Sequence, residues 1–205
     1  MSAIAALIVN NLPLTRGGRL IQAEINLSIA AGEIVAVHGP NGAGKTSLLR
    51  AIAGLLEVPQ GSVIFRMEPD ETVANAEERL SRTGWFGHLD GVKRQLSLTE
   101  NLRFFRRYNR SSEEVEAALD AVGLGQLRDL PAQFLSHGQR RRLAFARLLV
   151  VPRSLWLLDE PMASMDEKGK ACVREQIRDH CGRGGIVVAA SHESLGLEGA
   201  SVELQ

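Results

Sequence analysis

The sequence predicts an α/β fold: a mainly parallel core β-sheet, an antiparallel β region at the N-terminus and a helical subdomain. Short apolar runs at residues 34–37, 155–158 and 186–190 favour strands that are buried on both faces of a parallel sheet. Segments with helical spacing separate these runs. Because parallel strands need long crossover connections, this alternation is typical of a parallel sheet covered by helices.

The composition indicates one globular domain. The 205 residues suffice for one substantial domain and are too few for two full ones. Hydrophobic residues make up 44% and charged residues 23%, and 24 Lys and Arg balance 24 Asp and Glu. Without an excess of positive charge, neither nucleic acid nor an acidic membrane surface is indicated as a partner. We predict a single domain over residues 1–205, with residues from about 91 to 135 and the start of the next helix as the helical subdomain.

The cysteines and the apolar segments favour a chain that remains in the cytosol. Cys172 and Cys181 fit no common metal-site spacing, which favours reduced, structural cysteines. No apolar run approaches the roughly 20 residues that cross a bilayer. Residues 1–9 lack the basic leader and the long apolar core of a secretory signal. We therefore expect any role at a membrane to depend on a partner.

The segment before the first buried run is predicted to form the antiparallel β region. Residues 3–9 are apolar enough for a first strand, and Gly17 and Gly18 indicate a turn. Apolar and polar residues alternate over residues 24–29, which is the period of a half-buried strand.

A helix and a further strand are predicted after the first buried run. The apolar face of this helix consists of Leu48, Leu49, Ile52 and Leu55. Gly61 then introduces a strand at residues 62–65.

Two more helices are predicted in the second half. Residues 111–114, with the sequence SSEE, indicate a capping box for a helix that Gly123 ends. The apolar face of that helix consists of Val115, Ala118, Leu119 and Val122. The other helix lies within residues 135–150 and is ended by Pro152.

A phosphate-binding loop connects the first buried strand to its helix. The sequence GPNGAGKT fits the pattern G-x-x-x-x-G-K-[ST]. The loop consists of Gly39, Pro40, Asn41, Gly42, Ala43, Gly44, Lys45 and Thr46, and Ser47 follows it. Glycines let the backbone N–H groups approach the phosphates closely, and the helix N-terminus attracts anions. We predict that Lys45 contacts the β- and γ-phosphates of ATP and that the Thr46 hydroxyl binds Mg²⁺.

Two acidic residues end the second buried strand. Asp159 and Glu160 follow the run at residues 155–158, and the carboxyl ends of parallel strands are where such sheets bind ligands. We expect Asp159 to hold Mg²⁺, directly or through water, and Glu160 to act as the general base toward the attacking water.

A pentapeptide identifies the type of ATPase. Residues 135–139, LSHGQ, resemble the LSGGQ signature of ATP-binding-cassette (ABC) ATPases, with His137 in place of the first glycine. Ser136 can cap a helix whose free N–H groups form a second anion site. The resemblance implies that Ser136, Gly138 and Gln139 contact the γ-phosphate held by a second copy of the chain, so that two cassettes enclose two ATP molecules.

Two later segments match the same family in order. Residues 163–166, ASMD, resemble the D-loop, which meets the partner subunit, and His192 matches the switch histidine near the γ-phosphate. Residues 140–142, all arginine, lie in the signature helix, and we interpret them as a solvated basic face.

Two departures from the family pattern concern the nucleotide and the Q-loop. Most ABC cassettes place an aromatic residue near the N-terminus to stack on adenine, whereas the first aromatic residue here is Phe65. The planar guanidinium of Arg16 or Arg19 is a candidate replacement. His88 occupies the position of the Q-loop glutamine, where it would contact the Mg²⁺ and water region or the coupling surface.

The chain also resembles one subfamily, the ATPase subunits of cytochrome c maturation systems. The features are the short length, RGGR at residues 16–19, the segment from Gly87 to Lys93, and LTENL at residues 98–102 followed by Phe104. The resemblance implies a pair of identical ATPase subunits that associate with an integral membrane B subunit. They would lie on the cytoplasmic face of the bacterial inner membrane and energise haem delivery to apocytochrome c.

Other functions remain open on the sequence. They are an ABC transporter ATPase for another substrate, an ABC ATPase of translation or DNA repair, and a nucleotide sensor without turnover. Tandem cassettes and long coiled-coil insertions, typical of the second, are absent from the sequence. Glu160 and His192 argue against the third. The sequence has no C-x-x-C-H haem-attachment motif.

Overall fold

A computed structural model describes residues 3–16, 19–59, 61–69 and 71–204, without the side chains of Arg16 and Arg19. The turn predicted at Gly17 and Gly18 lies outside the described residues. In chain order the elements are β1 (Ile4–Arg16), β2 (Arg19–Ala30), β3 (Ile34–His38), α1 (Lys45–Ala53), β4 (Val63–Met67), β5 (Glu71–Val73), α2 (Ala76–Ser81), β6 (Thr83–Phe86), α3 (Leu98–Tyr108), α4 (Val115–Ala121), α5 (His137–Leu149), β7 (Leu155–Asp159), α6 (Glu167–Gly182), β8 (Ile186–Ala190) and β9 (Ala200–Glu203). Two 3₁₀ turns, Gly125–Leu127 and Ala132–Phe134, precede α5.

The predicted antiparallel region is confirmed as a sheet with strand order β2-β1-β4-β5. Strand β1 extends well beyond the strand predicted at residues 3–9. It does so because its pairing with β2 continues through register shifts after Val9 and Leu12. Such irregularities bend a long strand and break its strict alternation, which obscures its length in the sequence. Leu7, Val9, Leu12 and Leu14 are all fully buried on its inner side.

The three predicted buried strands form the centre of a second, all-parallel sheet with order β6-β7-β8-β3-β9. Strands β7 and β8 are buried at every position, as expected for the middle of a sheet with both faces covered. In β3 buried and half-buried residues alternate. The register pairs Val37 with Ala190 and Asp159 with Ala190, so β3, β7 and β8 end at the same edge of the sheet.

Two of the predicted helix details are wrong. Leu55 does not belong to the buried face of α1, because the helix ends at Ala53 and Gly54 caps it with φ 84°, leaving Leu55 49% exposed. The capping box predicted at residues 111–114 is absent, because the Ser111 hydroxyl instead accepts the Glu113 N–H in a local turn and Glu114 precedes α4 without a side-chain cap.

Capping boxes form at two other helices. In α3, Ser97 and Glu100 satisfy each other's backbone N–H groups, and in α5 Ser136 and Gln139 do the same. The predicted end of α4 is confirmed, since Gly123 follows it with φ 69°.

Helices α3, α4 and α5 pack together beside the parallel sheet. Their apolar side chains join one hydrophobic core with Phe86 and Leu158 of the sheet. The Asn101 side chain fixes the entry to α3, because it accepts the Lys93 N–H at 2.8 Å and donates to the carbonyl of Lys93 at 3.0 Å. Among the described helices, none has the length and apolar character needed to cross a membrane.

A histidine is stacked inside the fold, far from the strand ends at which β3, β7 and β8 meet. The rings of Trp156 and His180 lie 3.9 Å apart and nearly parallel. Burial lowers the pKa of His180 to about 4. A histidine in an unfolded chain has a pKa of about 6.5, so the unfolded state binds this proton more readily at acid pH. The contribution of the neutral His180 ring to the free energy of unfolding is therefore fully present above a pH of about 6.5. It is lost as the pH falls toward 4.

We expect His180→Phe to reduce the acid sensitivity of the protein. Phenylalanine keeps a ring against Trp156 and removes the titration. Between pH 7 and pH 5 the natural protein should lose about 2 kcal/mol more free energy of unfolding than the variant. Urea unfolding of both proteins at the two pH values measures this difference. Equal losses of unfolding free energy in both proteins would contradict the lowered pKa of His180.

Candidate active site

An open cleft of about 240 Å³ lies at the edge where β3, β7 and β8 end. Its lining consists of Ile21, Asn41, Gly42, Gly44, Lys45, Thr46, Ser47, His88, Asp159, Glu160 and His192. The structure thus brings together residues that are separated by up to 171 positions along the chain, since Ile21 and His192 share the cleft. Gly39, Pro40 and Ala43 are the residues of the predicted loop that are not part of this lining.

Backbone conformation explains the glycines of the phosphate loop. Gly42 and Gly44 have φ values of 90° and 97°, in the left-handed region that other residues rarely adopt. Gly39 has φ 141°, and a Cβ there would lie 2.5 Å from the Leu204 carbonyl oxygen. Helix α1 begins at Lys45, within the loop, and no side chain of the described residues caps it. Its first N–H groups are therefore available to an anion in the cleft.

Lys45 is the cation at the floor of the cleft. Its side chain is 8% exposed, and Nζ donates to the carbonyl oxygens of Gly39 at 2.7 Å and Pro40 at 3.1 Å. Nζ also lies 3.3 Å from Nε2 of His192. An ammonium group only donates, so Nε2 accepts in this contact. These bonds hold Lys45 at the phosphate loop and join it to the end of β8.

Thr46 and Asp159 contact each other across the cleft. The Thr46 hydroxyl donates to Oδ2 of Asp159 at 2.9 Å, and Asp159 is buried. The contact joins the first turn of α1 to the end of β7. It places two oxygen atoms of the kind that Mg²⁺ prefers beside the phosphate loop.

Glu160 has an unusual backbone conformation. Its φ is 50°, in the left-handed region. Its N–H donates to the Ala190 carbonyl at 2.8 Å. Its carboxylate lies 3.4 Å from the His192 N–H and 3.5 Å from His192 Nε2. The side chains of Glu160 and His192 are 26% and 47% exposed, so solvent reaches both.

His88 lines the cleft from the loop that follows β6, and its side chain is exposed. The side chain of Arg16, a candidate to stack on adenine, lies outside the described residues, as does that of Arg19. Ile21 was not among the predicted site residues. A single apolar residue in a strand carries no signal that separates a ligand contact from ordinary packing.

The predicted signature residues are not brought into this cleft. Ser136, Gly138 and Gln139 lie at the start of α5, where Ser136 is exposed. Gly138 packs on the segment before α6, because a Cβ there would lie 2.8 Å from the Ser164 carbonyl oxygen. The structure therefore presents a helix N-terminus with its serine to the outside of the molecule.

The prediction that the arginines at 140–142 form a solvated face is wrong. Arg141 and Arg142 are only 3% and 7% exposed. Instead, Nη atoms of both guanidinium groups donate to backbone carbonyl oxygens, which for Arg142 are those of Val122 and Gly123. Arg140 is half-buried, with Nε 3.7 Å from the Asp90 carboxylate. Sequence reasoning missed these residues because a basic run on a helix usually faces solvent.

Comparison with known proteins agrees with this geometry. A family model described as ABC transporter matches residues 23–163. The chain belongs to the ABC transporter family of ATP-binding proteins. It therefore binds and hydrolyses ATP as the ATPase subunit of such a transporter, and the predicted fold class is confirmed.

Several relatives that match nearly the whole chain are named for cytochrome c biogenesis. The cytochrome c biogenesis ATP-binding export protein CcmA of Mesorhizobium japonicum is 44% identical over 97% of this chain and 97% of its own length. The cytochrome c biogenesis ATP-binding export protein CcmA 2 of Cupriavidus metallidurans is 40% identical over 98% of this chain and 96% of its own length. Among solved structures, cbiO1 of Clostridium perfringens, part of the ABC transporter complex cbiONQ, has a TM-score of 0.75 at 25% identity. The match covers 94% of this chain and 80% of the cbiO1 chain.

Lys45→Ala is expected to weaken ATP binding about ten- to hundredfold and to reduce hydrolysis below detection, because charge-assisted bonds to the phosphates are lost. Titration with ATP by calorimetry and a phosphate-release assay measure the two effects. Lys168→Ala, on the exposed side of α6, is the matched control and should behave as the natural protein. Hydrolysis at the normal rate by the Lys45 variant would contradict the role given to this ammonium.

Proposed function

We propose that this ATPase energises a step of cytochrome c biogenesis, as one of two identical subunits associated with a membrane partner. The observation that carries this proposal is the similarity to cytochrome c biogenesis export proteins over nearly the full length of both chains. The subfamily features in the sequence point the same way. The step is the delivery of haem to apocytochrome c, and the subunit acts on the cytoplasmic face of the bacterial inner membrane.

The contacts at the phosphate loop support Mg²⁺ as the metal that accompanies ATP. Adjacent ligands of an octahedral ion with bonds of about 2.1 Å lie about 3 Å apart. The 2.9 Å between the Thr46 hydroxyl and the Asp159 carboxylate fits that spacing. Two protein ligands suffice, because Mg²⁺ takes its other ligands from phosphates and water. When bound, the ion neutralises charge on the β- and γ-phosphates.

The phosphate loop and α1 hold the nucleotide in this proposal. The backbone N–H groups of the loop and the free N-terminus of α1 point toward the phosphates. Lys45 exchanges its bonds to the carbonyls of Gly39 and Pro40 for the β- and γ-phosphates. That exchange releases the loop carbonyls and draws the loop around the anion.

Glu160 is the general base in this proposal. A water oxygen attacks the γ-phosphorus, its proton passes to the Glu160 carboxylate, and the bond to the bridging oxygen of ADP breaks. His192 supports this arrangement from two sides. Its backbone N–H lies 3.4 Å from the carboxylate, and its ring lies 3.3 Å from Lys45 Nζ. Ring and carboxylate are thereby kept at the γ-phosphate end of the cleft.

A second copy of the chain completes the site. ABC ATPase subunits of transporters dimerise, and here the signature residues do not line the cleft of their own chain, while Ser136 is exposed. In a two-fold pair, each α5 N-terminus can face the cleft of the partner. Ser136, Gly138 and Gln139 then bind the γ-phosphate in trans, since the N-terminus of a helix favours anions.

Glu160→Gln should bind ATP and remain as a dimer, because loss of the general base slows hydrolysis by about a hundredfold or more. Size-exclusion chromatography with and without ATP, together with a phosphate-release assay, tests this. Glu175→Gln, an exposed residue of α6, is the control and should turn over normally. Normal turnover in Glu160→Gln would exclude the base assignment, and a monomer with bound ATP would exclude the shared site.

The membrane partner docks on the surface formed by α3 and the loop after β6. Leu89, Phe104 and Tyr108 expose 85%, 54% and 80% of their surface there. Beside them, Gly91, Val92 and Leu102 line a small recess of about 50 Å³. Apolar side chains exposed together favour a protein partner. In this proposal residues 1–205 form a single nucleotide-binding domain, and residues from about 91 to 135 form the helical subdomain that carries the docking surface.

Deletion of the gene tests the pathway. Cells without it should lose c-type cytochromes and keep b-type cytochromes, because only the former need covalent haem attachment. Haem staining of membrane proteins and reduced-minus-oxidised spectra report the two classes. A plasmid carrying the natural gene should restore staining, and one carrying Glu160→Gln should not. Unchanged c-type staining after deletion would refute the proposed pathway.

A further inference from the structure

The guanidinium of Arg141 touches two separate parts of the active site. Nη1 donates to the carbonyl oxygens of Gly87 at 2.8 Å and His88 at 3.2 Å. Nη2 donates to those of Glu160 at 2.5 Å and Asp159 at 3.4 Å. One rigid, planar cation therefore bridges the end of β6 and the end of β7.

Burial makes these bonds obligatory. Arg141 is 3% exposed, and its guanidinium carbon lies 4.2 Å from the centre of the Phe86 ring. Burial lowers the pKa of Arg141, and Asp159, Asp90 and Glu160 oppose that shift. A guanidinium nevertheless stays charged in proteins. A buried charge without acceptors is strongly destabilising, so each backbone segment is held where the cation needs it.

On the β7 side, Arg141 holds the peptide that orients the general base. The left-handed φ of 50° at Glu160 is unfavourable for a glutamate and needs support from its surroundings. The Glu160 N–H is fixed by the Ala190 carbonyl, and its carbonyl is fixed by Arg141. Hydrogen bonds thus fix the backbone on both sides of Glu160, and this sets the direction in which its carboxylate points.

On the β6 side, Arg141 holds the start of the loop that carries His88. The same helix holds the rest of that loop, since Arg147 donates to the carbonyls of Asp90 and Gly91 and Arg140 lies near the Asp90 carboxylate. These contacts attach the loop to α5 at several points. Of the three arginines, only Arg141 also contacts the peptide of Glu160.

We propose that Arg141 is a positioning residue that couples the His88 loop to the orientation of Glu160. The proposal rests on the role of Glu160 as general base and on the docking surface beside the His88 loop. When the loop shifts, Nη1 moves with the carbonyls of Gly87 and His88. The rigid guanidinium then turns the Glu160 peptide through Nη2, and the carboxylate moves toward or away from the attacking water.

Substitution of Arg141 separates this role from ordinary packing. Arg141→Lys keeps the positive charge but loses the two separate Nη donors. A single ammonium cannot bond to the ends of both β6 and β7. Arg141→Met keeps the length of the side chain and loses charge and donors. Arg142→Lys and Arg142→Met are matched controls, because Arg142 is also buried and lies on the same helix. Its carbonyl acceptors at Val122 and Gly123 belong to the end of α4, away from the cleft.

We expect kcat to fall about ten- to hundredfold in both Arg141 variants, with KM for ATP within about threefold, because the phosphate contacts are intact. Both Arg142 variants should lower the unfolding temperature similarly and keep kcat within about twofold of the natural protein. Thermal unfolding and steady-state ATPase assays on the full chain give these values. A merely structural Arg141 would lower kcat in proportion to the fraction of unfolded protein, as in the controls.

Hydrogen exchange measured by mass spectrometry tests the coupling itself. ATP binding should slow amide exchange at the phosphate loop and at residues 87–91 in the natural protein and in Arg142→Lys. In Arg141→Lys it should slow exchange at the phosphate loop alone. Slowing at residues 87–91 in Arg141→Lys, or a kcat equal to that of the controls, would overturn the proposal. Normal turnover by Glu160→Gln in the steady-state ATPase assay would instead count against Glu160 as general base, so the two failures are distinguishable.

Discussion

The active site depends on three parallel strands ending at one level. The register that pairs Ala190 with both Val37 and Asp159 brings the phosphate loop, the acidic pair and His192 to one edge of the sheet. A shift of this register would separate Thr46 from Asp159, which now meet at 2.9 Å. The all-buried β7 and β8 hold the register, because sliding either strand would move its apolar side chains out of the core. The site is therefore a consequence of core packing.

Buried cations that bind backbone carbonyls recur through the molecule. Lys45 holds the phosphate loop, Arg141 holds the ends of β6 and β7, and Arg142 holds the end of α4. Arg79 does the same for the last turn of α1, where it donates to the carbonyls of Ala51 and Ile52. Carbonyl oxygens at strand and helix ends lack partners within their element, so a planar guanidinium can join several ends at once. The structure thus uses buried cations to hold the ends of strands and helices, both beside the cleft and away from it.

Several elements could be predicted from local signals in the sequence. The phosphate loop, the acidic pair and the end of α4 at Gly123 follow from short motifs and buried runs, and the structure contains each of these elements. The length of β1 could not be predicted, because register shifts interrupt its alternation. The burial of Arg141 could not be predicted either, since its acceptors are carbonyl oxygens 18 to 54 residues away and carry no side-chain signature. The error at Ser111 arose because a hydroxyl near a helix start can satisfy a local turn instead.

The central claim is that two chains share each nucleotide, with Lys45 supplied by one copy and Ser136 by the other. A structure of Glu160→Gln with ATP and Mg²⁺ tests it most directly. We predict a two-fold dimer in which the γ-phosphate lies within hydrogen-bonding distance of Lys45 Nζ from one chain and of the Ser136 hydroxyl from the second. A nucleotide held entirely within one chain, with both Ser136 hydroxyls remote from any phosphate, would contradict the account.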